Sequence, residues 1–233
     1  MNSIITGASR GLGLAMAEKF AHGGHDLYLC SRNEATLEKT VRELQEKYPA
    51  VTIRAHAADL GEPEEARQFG RWVRECGIGI DILVNNAGQF IPGSVYNEEA
   101  GALEKMMAVN LYSAYHLTRE LLPVMMAQKK GHIFNICSIA SLQAYPNGGA
   151  YSISKFALAG FSRNLREEMK PHGIKVTAVY AGATYTDSWA GSGVDPRRIM
   201  EAGDIADMVY AASLLSPQAA VEEILIRPQL GDL

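Results

Sequence analysis

Cysteine is scarce. The three residues Cys30, Cys76 and Cys137 are odd in number, far apart and without a CxxC pair, which argues against a disulfide framework or a zinc knuckle. They read as small apolar core residues in a reducing compartment. None of the six histidines shows metal-ligand spacing and no HExxH occurs, so no metal centre is expected. A basic stripe is missing too: 22 Lys and Arg are scattered and outnumbered by 26 Asp and Glu, for a net charge of −4, which leaves nucleic acid no footprint. No uncharged apolar run reaches the ~18 residues of a spanning helix. The start, MNSIITGAS, has neither a basic n-region nor an apolar h-region, so the expectation is a cytoplasmic protein without a membrane partner. No Pro/Ser linker or low-complexity stretch divides the 233 residues, and 47% hydrophobic residues suffice for one sizeable core. A single domain over 1–233 is expected.

What the chain does have is a rhythm. Apolar, β-branched or aromatic runs at 3–6, 26–30, 52–57, 81–85, 132–137, 175–180 and 223–228 read as strands. Between them, segments at about 12–23, 34–48, 63–77, 99–129, 149–171 and 203–215 carry helical spacing. The charges of RNEATLEKTVRELQEK (32–47) alternate as on a solvated helix face. Strand followed by helix, repeated, needs a crossover for each pair of strands. The expected class is α/β, a Rossmann-type doubly wound parallel sheet of about seven strands with helices on both faces.

The first strand runs into TGASRGLG (6–13) and then a helical pattern. Gly7, Gly11 and Gly13 stand where a strand must turn sharply, admit a phosphate to its backbone and pack a helix on the sheet. The helix start then offers amide groups to an anion. The spacing is GxxxGxG, which departs from GxGxxG. At the end of the second strand, LYLCSRN holds Ser31 and Arg32 where an acidic residue would favour NAD. Arginine suits the 2′-phosphate of NADP, and Arg10 in the glycine turn adds a second guanidinium.

The stretch GAYSISKFALAG (149–160) offers two chemistries. Tyr151 and Lys155, four apart on a helix, share a face. A nearby ammonium lowers a phenol's pKa from ~10, which makes Tyr151 a candidate general acid for reducing a carbonyl. Ser138, closing the strand HIFNIC, would present its hydroxyl at the carboxyl edge of the sheet and hold the substrate oxygen near Tyr151. Alternatively, Ser152 and Lys155 match SxxK, an acyl-transfer spacing, yet the chain has no SDN, KTG or GxSxG to accompany it.

Taken in order, TGASRGLG, AADL (57–60), NNAG (85–88), VNL (109–111), CS (137–138) and YSISK (151–155) resemble the short-chain dehydrogenase/reductases of the single-domain branch, over essentially the whole chain. The resemblance implies a nicotinamide dinucleotide, with NADP(H) preferred, and a catalytic set of Asn110, Ser138, Tyr151 and Lys155, the asparagine supporting a water-linked proton path to the lysine. By the same resemblance Ser9 and Leu12 join the glycine turn in holding cofactor, Asp59 and Leu60 flank the adenine, and Asn86, Ala87 and Gly88 line the dinucleotide. Gly182, Thr184 and Thr186 follow the sixth strand, with Ala181 where the family usually has proline, a departure that would loosen the nicotinamide loop. A substrate loop is expected at about 184–203. In it Trp189 would cover a substrate ring or pin the loop. The tail and the TYTDSW segment look similar to bacterial sepiapterin-reductase-like members. On that reading Asp232 would bind the amino-pyrimidine edge of a pterin, unless it is simply solvated. Alternatives are a 3-oxoacyl carrier-protein reductase, an NADP-binding regulator without catalysis, and a sugar-nucleotide epimerase, for which the C-terminal part is short. Family members are commonly dimers or tetramers joined through helices matching 99–129 and 149–171. Phe156, Phe161 and Leu165 would serve such an interface or the core.

Overall fold

The computed structural model describes residues 1–186, 189 and 193–232. The strands are β1 (Asn2–Thr6), β2 (Asp26–Ser31), β3 (Ile53–Ala57), β4 (Ile82–Asn85), β5 (Gly131–Ile136), β6 (Ile174–Ala181), the short β7 (Thr184–Tyr185) and β8 (Met200–Glu201), and β9 (Glu223–Ile226). The helices are α1 (Gly11–His22), α2 (Glu34–Lys47), α3 (Pro63–Glu75), α4 (Ala102–Met107), α5 (Ser113–Gln128), α6 (Gly149–Met169) and α7 (Ala202–Ser213). One parallel sheet runs β3-β2-β1-β4-β5-β6-β9, while β7 and β8 pair with each other. All seven expected strands are in this sheet. The β7–β8 ribbon was not foreseen, because two-residue strands carry no periodicity.

Successive strand residues face opposite sides, and here both sides are dry. Ile5, Leu27, Leu29 and Phe134 pack against Met16 and Phe20 of α1, Leu44 of α2 and Val209 of α7. Their neighbours Ile4, Tyr28, Leu83 and Ile133 meet Phe69 of α3, Leu121 of α5 and Leu165 of α6. Leu165 is therefore core, whereas Phe156 is exposed and Phe161 packs at the margin of two apolar clusters. Cys30 and Cys137 are buried and Cys76 partly so, all three as free thiols. On α2 the charges face water over buried Leu37 and Leu44, and Asn33 caps its start by accepting from the Thr36 N–H at 2.8 Å. Among the described residues, no helix is long and apolar enough to cross a membrane.

The sequence predicts one helix over 99–129, but the structure interrupts it. Ala108–Tyr112 form a π-helical turn between α4 and α5, and such turns add a residue where a side chain must be re-aimed. Here that side chain is Asn110, 1% exposed. The strand order reverses direction between β1 and β4, where open α/β sheets bind ligands beyond the carboxyl ends of the strands. Thr6 Oγ1 ties the two strand ends together, accepting from the N–H groups of Asn86 and Ala87 at 2.9 Å each.

Candidate active site

The glycine turn lies on that crevice. Gly7 has φ 63°, a left-handed conformation in which a side chain would be strained. A Cβ on Gly13 would stand 2.1 Å from the Gly7 carbonyl oxygen, so α1 can approach the strand this closely only with glycine there. Arg10 is the residue before α1, and the first turn of α1 holds no acidic side chain, which leaves its amide end suited to an anion. At the far side of the turn, Ser9 Oγ and Ser31 Oγ share a hydrogen bond of 2.8 Å. Arg32 follows Ser31 with an exposed guanidinium 3.9 Å from Asp59 Oδ2. Asp59 Oδ1 accepts from the Gly61 N–H at 3.0 Å, and Leu60 is buried. Asn86 Nδ2 donates to the Thr6 carbonyl at 2.9 Å. Thr186 closes the crevice from above, since a Cβ on Gly11 would lie 3.3 Å from its side chain. Thr184 Oγ1 donates to the Gly182 carbonyl at 3.0 Å. Ala181 pairs with Ile226 as the last residue of β6, and the Gly182 N–H continues to the Ile226 carbonyl at 2.9 Å.

The catalytic candidates converge at the next strand end. Ser138 follows β5, buried, and its Oγ accepts from the Ala140 N–H at 3.1 Å. Its hydroxyl also stands close enough to the Tyr151 phenol to lower that phenol's pKa. Lys155, 5% exposed, donates from Nζ to the Ile136 carbonyl at 2.8 Å and stands 5.9 Å from the Tyr151 ring centroid. Burial raises the phenol's pKa above its ordinary value of 10.0, the Ser138 hydrogen bond pulls it down, and the Cys137 thiol beside it pushes it up. The Lys155 ammonium is held below its ordinary value, again by burial. The expectation that Lys155 brings the phenol below 10 is thus corrected. The ammonium is committed to a backbone carbonyl, and desolvation of the phenol outweighs the hydrogen bond. The phenol is accordingly a protonated donor at neutral pH.

Asn110 ties this group to the segment after β4 through its side chain. Oδ1 accepts from the Gln89 N–H at 2.8 Å; Nδ2 donates to the Gln89 carbonyl at 3.0 Å and to Ser154 Oγ at 2.9 Å. Ser154 Oγ in turn donates to the Tyr151 carbonyl at 2.7 Å. A Cβ on Gly88 would lie 3.1 Å from Asn110 Oδ1 and 3.6 Å from Lys155 Nζ, so both residues crowd the same glycine. Ser152, the competing nucleophile, is buried at the start of α6 with no partner for its hydroxyl among the described residues, and it crowds Gly148. A sealed hydroxyl is no acyl acceptor.

The order of these residues along the chain has counterparts. Residues 2–195 match the short chain dehydrogenase family. The chain belongs to the short-chain dehydrogenases. An uncharacterized oxidoreductase of Staphylococcus saprophyticus is 29% identical over 226 residues, covering 97% of this chain and 96% of its own. Among solved structures, an alcohol dehydrogenase from the archaeon Thermococcus sibiricus, complexed with 5-hydroxy-NADP, superposes with a TM-score of 0.89 at 27% identity, covering 98% of this chain and 96% of that one. A metagenomic short-chain oxidoreductase in complex with NADP gives 0.84 at 31%, over 98% and 97%. L-sorbose reductase from Gluconobacter frateurii, complexed with NADPH and L-sorbose, gives 0.88 at 27%, over 97% and 94%.

The two residues expected to meet substrate make other contacts in this dehydrogenase. Trp189 is partly buried and its N–H donates to the Thr186 carbonyl at 2.9 Å, so its backbone fastens the loop. Asp232, partly buried, pairs through Oδ2 with Arg227. Its Oδ1 is buried without a hydrogen-bond partner among the described residues, and a Cβ on Gly182 would lie 3.2 Å from it. The rest of the expected substrate loop at 187, 188 and 190–192 lies outside the described residues. Sequence reasoning missed Phe90, 48% exposed, whose ring meets Tyr151 edge-on at 4.9 Å. It also missed Tyr145, half-buried, its phenol pushed up to about 12 by burial and by the neighbouring Tyr151. Their only sequence signal is position: Phe90 follows NNAG by one residue and Tyr145 precedes α6 by three.

Proposed function

We propose that this short-chain dehydrogenase is an NADPH-dependent reductase of small carbonyl compounds, working in the cytoplasm as a single-domain homo-oligomer. The observation that carries the reading is the Ser138 hydroxyl beside the phenol of a partly buried Tyr151, whose pKa it lowers, with Lys155 on the same helix face. The crevice fits a dinucleotide: its turn leaves no room for a Cβ at Gly13 and meets a helix start free of acidic side chains. When bound there, NADPH supplies the hydride. Gly7, Ser9, Arg10, Gly11, Leu12 and Gly13 would hold its phosphates, with Asp59 and Leu60 beside the adenine and Asn86, Ala87, Gly88, Gly182, Thr184 and Thr186 lining the remainder. Ser31 and Arg32 would take the 2′-phosphate. The NADP and NADPH complexes of the similar structures support that choice.

The chain's own residues handle the oxygen and its proton. Ser138 and Tyr151 would hold the carbonyl oxygen, and Tyr151 would give up its proton as negative charge develops there. As that proton leaves, the Lys155 ammonium, 5.9 Å from the ring centroid, would offset part of the negative charge left on the ring, although it does not bring the resting phenol below 10. Asn110, in its π-helical turn, would support the return of a proton toward Lys155. Phe90, edge-on to Tyr151, and Tyr145 near it would give the substrate side aromatic walls, consistent with a flat partner such as a pterin ring. The exposed Ile153 and Phe156 of α6 and Tyr112 and Tyr115 near the start of α5 support self-association.

The test is NADPH consumption across sepiapterin, small diketones, aldehydes and 3-oxoacyl thioesters, with Tyr151→Phe run alongside. Turnover of one class, lost at least about 100-fold in the variant, is the expected outcome. NADPH binding with no turnover of any carbonyl would favour a regulator; undiminished turnover by Tyr151→Phe would remove the phenol from the chemistry.

A further inference from the structure

Helix α6 carries Tyr151 and Lys155, yet its start is poorly provided for by its own sequence. The residue before it is Gly148, with no side-chain cap, and the first turn has no acidic side chain. Amide groups at a helix start need partners. One comes from far along the chain: Glu98 Oε2 accepts from the Ala150 N–H at 3.0 Å. The fit is close. A Cβ on Gly149 would lie 2.5 Å from Glu98 Oε2 and 2.5 Å from the Gly93 carbonyl oxygen, so glycine at 149 is what lets the carboxylate reach position 150.

Glu98 closes a strap that begins at β4. The strap's near end is fixed at Gln89, whose N–H and carbonyl are both bonded by Asn110. Its middle is fixed where the Gly93 N–H donates to the Asn147 carbonyl at 3.1 Å and Ser94 Oγ donates to Asn147 Oδ1 at 3.0 Å. Between those points Phe90 lies edge-on to the Tyr151 ring. The bond made by Glu98 is one residue from Tyr151, and Ala150 packs with Ala102 and Met106 against the same tyrosine.

We infer that Glu98 is a positioning residue: through its bond to the Ala150 N–H it sets the first turn of α6, and with it the reach of the Tyr151 hydroxyl toward Ser138. The inference rests on the proposed role of Tyr151 as proton donor. Glu98 touches none of the reacting atoms, so its influence is geometric, and small displacements of a proton donor cost rate steeply.

Two conservative variants separate reach from charge. Glu98→Gln keeps an oxygen at the same length and lacks the charge; Glu98→Asp keeps the charge and falls one methylene short. With 2,3-butanedione and the other panel carbonyls as substrates, Glu98→Asp is expected to lower kcat about 10-fold with KM for NADPH within about twofold. Glu98→Gln should stay within about threefold of the parent. In a Tyr151→Phe background, Glu98→Asp should cost nothing further, because the group it positions is gone. Equal kcat in both variants, loss in Glu98→Gln with Glu98→Asp intact, or an undiminished Glu98→Asp effect in the Tyr151→Phe background would each overturn the inference. If Tyr151→Phe itself leaves turnover intact, or the parent turns over no carbonyl, the underlying reading falls and the positioning role falls with it.

Discussion

Lys155 Nζ donates to the Ile136 carbonyl oxygen at 2.8 Å, so the ammonium beneath Tyr151 is fastened to the end of β5. Burial acts on the two side chains in opposite senses, raising the phenol's pKa and lowering the ammonium's. Carbonyl reduction by the proposed mechanism uses the protonated phenol. Its rate should therefore be flat through neutral pH and fall only on the alkaline side, while alcohol oxidation, which needs the phenolate, should rise there. Ser138→Ala removes the hydrogen bond that lowers the phenol's pKa. The alkaline limb of reduction should move to higher pH, and kcat should drop about 10²–10³-fold. Paired pH–rate profiles check this; an unmoved limb would separate Ser138 from the titrating group.

On the proposed reading cofactor choice turns on Arg32, exposed and 3.9 Å from Asp59. A charge-assisted hydrogen bond to phosphate contributes about 1.5–3 kcal/mol. Arg32→Ala should lower the preference for NADPH over NADH by about 10–100-fold. Arg32→Asp should go further, setting a carboxylate where the 2′-phosphate would sit and beside Asp59. Ratios of kcat/KM for the two cofactors are the readout, and an unchanged ratio would place 2′-phosphate recognition elsewhere.

Gly13→Ala tests the closeness of α1 to the glycine turn. Its methyl group would meet the Gly7 carbonyl oxygen at 2.1 Å, an overlap that backbone must move to relieve. Overpacking of this kind costs about 1–3 kcal/mol, which for a chain of this size lowers Tm by roughly 2–12 °C. Dinucleotide affinity should fall with it, since the displaced turn is the one proposed to hold the phosphates. A variant with parental Tm and affinity would show that the turn yields freely.

His132 supplies a stability test away from the site. It is buried on β5, bonded to Thr177 Oγ1 at 2.7 Å and stacked on Phe134. Burial, aided by the charge of Lys175, pushes its pKa down to about 3. Unfolded, the same imidazole titrates near ~6.5. The stabilisation from keeping it neutral is present above about pH 6.5 and is lost as pH falls from there toward about 3. Between pH 7 and 5 the loss is about 2 kcal/mol. Urea unfolding at the two pH values should show it, and His132→Asn should remove most of the difference. An unaltered difference in the variant would point to other groups, His25 first, whose pKa burial also lowers.

The sheet and its helices were legible because both faces of each strand are buried, and continuous runs such as Leu27–Cys30 announce that directly. Three of the candidate catalytic residues were legible through position, Tyr151 and Lys155 one turn apart and Ser138 just beyond a strand, whereas Asn110 was supplied by the family resemblance alone. The balance of charge around Tyr151 was not, because it depends on where Lys155 finds a carbonyl, and no spacing records that. Glu98 was equally hidden. Its partner is 52 positions away, and an acidic residue in a loop looks the same in sequence whether it meets water or the amide end of a helix. Phe90 and Tyr145 carry no helical or strand period that would mark them as site residues.

The π-helical turn at 108–112 also governs how one rod serves two neighbours. An added residue in a helix rotates everything beyond it by about 100° about the axis. Before the turn, Ala102 and Met106 of α4 lean on Ala150 of α6; after it, Leu117 and Leu121 of α5 share a cluster with Phe69 and Val73 of α3. Shortening the turn by one residue would bring the rod back into a single phase and force it to serve only one of those partners. Asn110 therefore marks a joint in the scaffold as well as a member of the site, so its neighbourhood cannot tolerate the length variation that surface loops absorb.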